Sequence, residues 1–150
     1  MEIFRIHPES PLFVSGAIDN WEFVKSHGVD SIIDLDSGIE EGISEVANGI
    51  MYVYFPMLDD LDLPNAARLD VLGRFIAGLV DARRVVLVHC LLGLNRSNLV
   101  AAAALSYLGM SGAEAVARLQ ESSRRRSTTR RSRSTPPACP RVACASSTCR

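Results

Sequence analysis

Residues 1–138 contain a single cysteine, Cys90, so no disulfide can form within that stretch. Three more cysteines, Cys139, Cys144 and Cys149, sit close to the end. Their spacing fits no zinc pattern and no histidine lies nearby, so they are assigned no function, and no metal or other cofactor is expected. The first ten residues, MEIFRIHPES, lack the basic stretch and long apolar run of a secretory leader. The longest apolar run, Leu99 to Leu105, is far short of the ~20 residues that a membrane-spanning helix needs. No repeat of solenoid period occurs. A soluble, cytoplasmic, monomeric protein without membrane attachment is therefore expected.

Acidic residues are missing after Glu121. Residues 1–121 carry 17 acidic against 8 basic side chains, a net of −9, whereas 122–150 carry 8 basic and no acidic ones, +8. The formal total of −1 over 150 residues hides two segments with different physics. The first, with most of a composition that is 47% hydrophobic, is long enough to build one packed domain. The second, rich in Arg, Ser and Pro, has the composition of a disordered tail. Its arginine run at 124–133 also suits an RNA or another anionic surface.

Residues 2–7 alternate apolar and polar, as a half-buried strand does. LFVSGA at 12–17 and SIIDL at 31–35 read as further strands, separated by a short helix over 20–26 that Asp19 would cap and Gly28 would end. Residues 37–49 are mixed, with a helical turn or two expected around Glu40 to Ala47. MYVYFPM, 51–57, is β-rich up to Pro56, and LDDLDLPN, 58–65, is a loop by composition. A helix is predicted from about Ala66 to Ala82, with Leu69, Leu72, Phe75, Ile76, Leu79 and Val80 on its buried face and Gly73 and Gly78 as weak points. Val85 to Val88 is a continuous apolar, largely β-branched run, typical of a strand covered on both faces. Helices follow at about 96–108 and 112–121, the last opened by a Ser111–Glu114 capping box. Strands and helices alternate, so the fold class is α/β, with a central, mainly parallel sheet flanked by helices on both faces.

The chemistry concentrates in VVLVHCLLGLNRSN, residues 85–98. A buried strand ends at His89. Cys90 and Arg96 then bracket Leu91, Leu92, Gly93, Leu94 and Asn95, and a helix begins at Arg96. A loop running straight into a helix leaves several backbone N–H groups without intrahelical partners, and the helix dipole adds positive potential there. Such a turn suits a phosphate dianion. Gly93 permits a backbone angle that other residues resist. Arg96 can grip two phosphate oxygens with its planar fork. The same field favours a thiolate, the nucleophilic form of cysteine. Attack by Cys90 on phosphorus would give a phosphocysteine, with the transition state held by the loop amides and Arg96. Ser97 can donate to the departing sulfur, and His89 is expected to support the loop. A proton for the leaving oxygen can come from the acidic loop, which offers Asp59, Asp60 and Asp62; spacing does not choose among them. His7 and His27 read as ordinary surface or strand residues, and Trp21 and Phe23 as core or cleft edge.

HCLLGLNRS resembles the active-site signature of the protein tyrosine phosphatase superfamily: Cys, five residues, Arg, then Ser or Thr. The preceding VVLV, the small chain and the acidic loop upstream are similar to the dual-specificity branch, as is LFVSGAIDNWEFVKSHGVDSIIDL. The likeness spans about residues 8–121. It implies a cysteine-based phosphatase fold, a phosphorylated protein as substrate and no cofactor. YFPMLDD resembles the segment carrying the family's general acid, three residues after a proline and about thirty before the nucleophile. That position falls on Asp59, 31 residues before Cys90, with Asp60 as second choice. The chain departs from the pattern beyond Leu119, where apolar periodicity stops, and the tail is expected from residue 122. The loop has no lysine, which together with a net of −9 argues against a highly charged lipid head group. GLNR is also similar to the RNA 5′-triphosphatase branch. An RNA 5′-phosphatase, or a phosphate-binding module without turnover, is thus the alternative to a phosphotyrosine, phosphoserine or phosphothreonine phosphatase.

Overall fold

The computed structural model describes residues 2–38, 43, 48–59 and 64–133. Along them run β1 (Ile3–Arg5), β2 (Leu12–Ser15), α1 (Trp21–Ser26), β3 (Ser31–Asp34), β4 (Met51–Tyr54), α2 (Ala66–Asp81), β5 (Val86–His89), α3 (Arg96–Tyr107) and α4 (Gly112–Arg133). Among the described residues five strands make one sheet, in the order β1-β2-β5-β3-β4. β1 is antiparallel to β2, and every other pairing is parallel. Parallel neighbours cannot be joined by tight turns, so the connections must cross a sheet face, and α1 and α2 lie in those connections. The mainly parallel sheet expected from the alternation of elements is the one observed.

β5 lies between β2 and β3, and all four of its residues are buried. Successive side chains of a strand point to opposite faces. Val86, Val88 and Cys90 therefore join Leu12, Val14, Ile33 and Leu35 in a core with α2, α3 and α4. Leu87 joins Ile32 in a second core with Trp21 and Val24 of α1. Each fully buried Val, Leu or Ile contributes roughly 1.5–3 kcal/mol, which is why β5 tolerates no polar residue until its last position. No helix among the described residues is long and apolar enough to cross a membrane.

Several expectations need correction. α1 is capped by Asn20, whose Oδ1 accepts from Phe23 N–H at 2.9 Å, because the helix starts at Trp21 and Asp19 is one residue too early. On α2, Leu72, Ile76 and Val80 are buried, but Phe75 is 41% exposed. The contact stripe turns instead toward the small residues Gly73 and Ala77, since α3 is alanine-rich and approaches closely. The capping box forms as expected: Ser111 N–H donates to Glu114 Oε2 at 2.9 Å. The helix it opens does not end near Glu121, however, but continues to Arg133. Arginine is a good helix former, and no glycine or proline interrupts the chain between Gly112 and Pro136. Ser122 is buried and the Ser123 hydroxyl accepts from Asn98 Nδ2 at 3.2 Å, so α4 packs on the body past the expected 121/122 boundary. The turn expected around Glu40 to Ala47 and the cysteines of the tail lie outside the described residues, Ile43 excepted.

Gly73 and Gly78 occupy one helix but different surroundings. A Cβ on Gly73 would sit 3.0 Å from Ala103 Cβ, whereas one on Gly78 would meet nothing within 4 Å. Gly73→Val should therefore destabilise the fold by about 1–3 kcal/mol through overpacking. Gly78→Ala should stabilise it by about 0.5–1 kcal/mol through helix propensity. Urea denaturation of both variants checks this, and shifts of the same sign would contradict it.

Candidate active site

The carboxyl ends of β5, β3 and β2, with the segment after β4, converge on one spot, as ligand sites do in open α/β sheets. Cys90 follows β5 directly and is only 2% exposed. One side of it packs against the apolar core beneath α2 and α3. On the other side its Sγ lies 3.5 Å from Ser97 Oγ, a hydrogen-bonding distance for sulfur. Between them, residues 91–95 form an irregular loop, and α3 starts at Arg96. No backbone N–H of residues 91–96 donates to a protein acceptor among the described residues. Six consecutive unpartnered donors leading into a helix N-terminus are what an anion needs.

Gly93 shapes this loop. Its φ is +69°, and an added Cβ would come within 2.5 Å of Ser15 C and 2.6 Å of Gly16 N. Only glycine satisfies both the left-handed backbone and the contact with the end of β2. The contact is reciprocal: Ala17 N–H donates to Leu91 O at 3.1 Å, and a Cβ on Gly16 would lie 3.1 Å from that oxygen. The Leu91, Leu92 and Leu94 side chains are exposed around the loop.

Arg96 is 7% exposed, so its guanidinium requires partners. Nη1 donates to Leu35 O at 3.1 Å, Met57 O at 3.0 Å and Asp36 Oδ1 at 3.2 Å. Nε is buried and has no hydrogen-bond partner among the described residues. One corner of the guanidinium is thus fixed to the protein while the edge bearing Nε remains available. Asp36 was not singled out in the sequence. Its signal was position alone, at the carboxyl end of a strand next to β5.

Asp59 is exposed, and its Oδ1 accepts from Asn95 Nδ2 at 3.3 Å. The structure therefore brings Asp59 to the cysteine loop. Asp60 and Asp62 lie outside the described residues. Ser97 is fully buried beside the sulfur.

His89 points to the opposite face from Cys90 and is fully buried. Its Nε2 lies 3.5 Å from Asp34 Oδ1, and Asp34 is also fully buried. The Asp34 carboxylate accepts from Tyr52 OH at 2.5 Å and from Asp36 N–H at 2.8 Å. Burial pushes the His89 pKa below its ordinary value; Asp34 and Asp36 pull it up, and Arg96 pushes it down. Desolvation outweighs the carboxylates, so the buried site disfavours the charged ring despite the contact with Asp34. Asp34 and Tyr52 carry no sequence signal for this network, because nothing in one chain's spacing aligns β3, β4 and β5.

The family model described as dual specificity phosphatase, catalytic domain, matches residues 12–134. Among solved structures, the chain is similar to Tk-PTP in its active form, at 24% identity and a TM-score of 0.64 over 77% of this chain and 84% of that one. It is similar to human DUSP28, at 22% identity and 0.65 over 81% and 82%. It is also similar to the Yvh1 phosphatase domain from Chaetomium thermophilum, at 24% and 0.60 over 80% and 82%. Likeness at this identity speaks to the fold. No curated protein matched the sequence.

The buried His89 links stability to pH. Its pKa is lower folded than unfolded, so on acidification the unfolded chain takes up a proton that the folded one resists. Stability should fall as pH drops below the unfolded value of about 6.5, by at most ~1.4 kcal/mol per unit from this group. Urea midpoints at pH 7.5 and 5.5 should differ less in His89→Gln than in the parent chain. Parallel behaviour of the two proteins would refute this account.

Proposed function

Because the chain belongs to the dual specificity phosphatase family, we propose that it hydrolyses phosphomonoesters on protein side chains through a phosphocysteine intermediate. The observation that carries the reading is the pairing of Cys90 and Ser97 with the unpartnered N–H groups of residues 91–96 and the unpartnered Nε of Arg96, among the described residues. Phosphotyrosine is the proposed substrate, with phosphoserine and phosphothreonine alongside it.

The phosphate dianion sits on the amides of residues 91–96, with Arg96 Nε–H on one oxygen. These donors are in place before the substrate arrives, so they stabilise developing charge without reorganisation. Cys90 thiolate attacks phosphorus as the bond to the leaving oxygen breaks. The carboxyl group of Asp59 gives its proton to that oxygen, and the alcohol or phenol departs. Water then attacks the phosphocysteine, and the Asp59 carboxylate takes the proton from it. The sulfur–phosphorus bond breaks, inorganic phosphate leaves, and the Ser97 hydroxyl donates to the reforming thiolate. The groups that hold charge and move protons in this scheme all belong to the chain, so turnover should resist chelators.

Cys90→Ser should lower turnover of an aryl phosphate at least ~10³-fold. Asp59→Asn should lower it by ~10²–10⁴-fold while substrate still binds. Steady-state kinetics with a chelator present checks both. Activity surviving Cys90→Ser would refute the covalent mechanism, and the Asp59 effect appearing in Asp60→Asn instead would move the acid by one residue. A panel of phosphopeptides, phosphoinositides and triphosphate-ended RNA tests the substrate class. Preference for RNA would overturn the protein assignment.

A further inference from the structure

Asn95 directly precedes α3 and occupies its N-cap position, where asparagine ordinarily accepts a hydrogen bond from the second or third helical N–H. Here it does not. Its backbone is in the right-handed helical region, φ −92° and ψ −72°, and its side chain makes no capping bond. Asn20 and Asn65, at the starts of α1 and α2, both cap in the ordinary way. The Asn95 amide instead reaches across to the segment after β4 and donates from Nδ2 to Asp59 Oδ1 at 3.3 Å. Two consequences follow together. The first N–H groups of α3 are left without a side-chain cap, open to an anion. The Asp59 carboxyl is held against the loop that starts at Cys90.

We infer that Asn95 is a positioning residue for the phosphatase reaction, acting through Asp59. The inference rests on the reading of Asp59 as the acid. An amide nitrogen only donates, so the oxygen facing it must be an acceptor. With Oδ1 accepting from Nδ2, the bond favours the acid proton on Oδ2, the other oxygen. After proton transfer the same bond steadies the carboxylate that receives the proton from water. A hydrogen bond to a charged carboxylate is worth enough to change a rate by about tenfold or more.

The test separates proton donation from general damage by varying the leaving group. An activated aryl phosphate, whose phenolate departs readily, has little need of an acid. A peptide phosphoserine, whose alkoxide departs poorly, depends on one. Asn95→Ala should lower kcat about tenfold more on the phosphoserine peptide than on the activated ester. In an Asp59→Asn background, Asn95→Ala should add no further loss. If Asp59→Asn itself affects both substrates alike, the assignment of the acid fails and this inference falls with it. If Asp59→Asn discriminates between substrates but Asn95→Ala slows both equally, or adds its full effect to Asp59→Asn, the positioning role is refuted and the acid stands.

Discussion

The buried guanidinium of Arg96 is the interaction on which the rest of the site depends. A charge removed from water needs acceptors, and in this fold Nη1 has three: Leu35 O and Asp36 Oδ1 beyond β3, and Met57 O beyond β4. These bonds tie two strand ends to the first residue of α3. They also leave Nε as the buried donor of the arginine that has no partner among the described residues. A lysine could not do this, because its ammonium lacks the rigid planar fork that allows one corner to be anchored and another edge presented. The position of Asp59 depends on the same ties, since it lies two residues beyond the carbonyl of Met57.

Period-two alternation along β5 divides the remaining labour. Val88 and Cys90 face the helices α2 and α3, and Leu87 and His89 face the other way. The proposed nucleophile and the residue before it therefore face opposite sides of the sheet. Behind the sheet, Asp34 links Tyr52, the Asp36 amide and the surroundings of His89. Asp36 in turn reaches Arg96, so one continuous polar path runs beneath the site. Burial lowers the pKa of His89 and so disfavours its charged form.

Much of this was legible in the residues. The buried run Val86 to Val88, the glycine three residues after Cys90 and the arginine opening α3 each follow a local rule, so strand, loop and helix could be read in order. The likeness of YFPMLDD to a known acid-bearing segment pointed to Asp59, and the structure places that residue within reach of Asn95. Other features depended on packing. The covered stripe of α2 departs from its apolar periodicity at Phe75, because the close approach of alanines on α3 decides which residues are covered. α4 runs on to Arg133 although its apolar pattern fades at Leu119, because helix propensity does not fade there.

By itself the sequence determined the elements, the alternation that makes the sheet mainly parallel, and the cysteine–arginine loop with its glycine. These are local properties, set by propensity, periodicity and the spacing of a few residues along one stretch of chain. Only the tertiary structure decided that Asp36 and two carbonyls hold Arg96, that Asp34 and Tyr52 stand behind His89, and that Asn95 turns from capping its helix to grip Asp59. Each of those contacts joins residues 18 or more positions apart. Such partners are chosen by which strand ends the sheet order brings together, and no local rule contains that order.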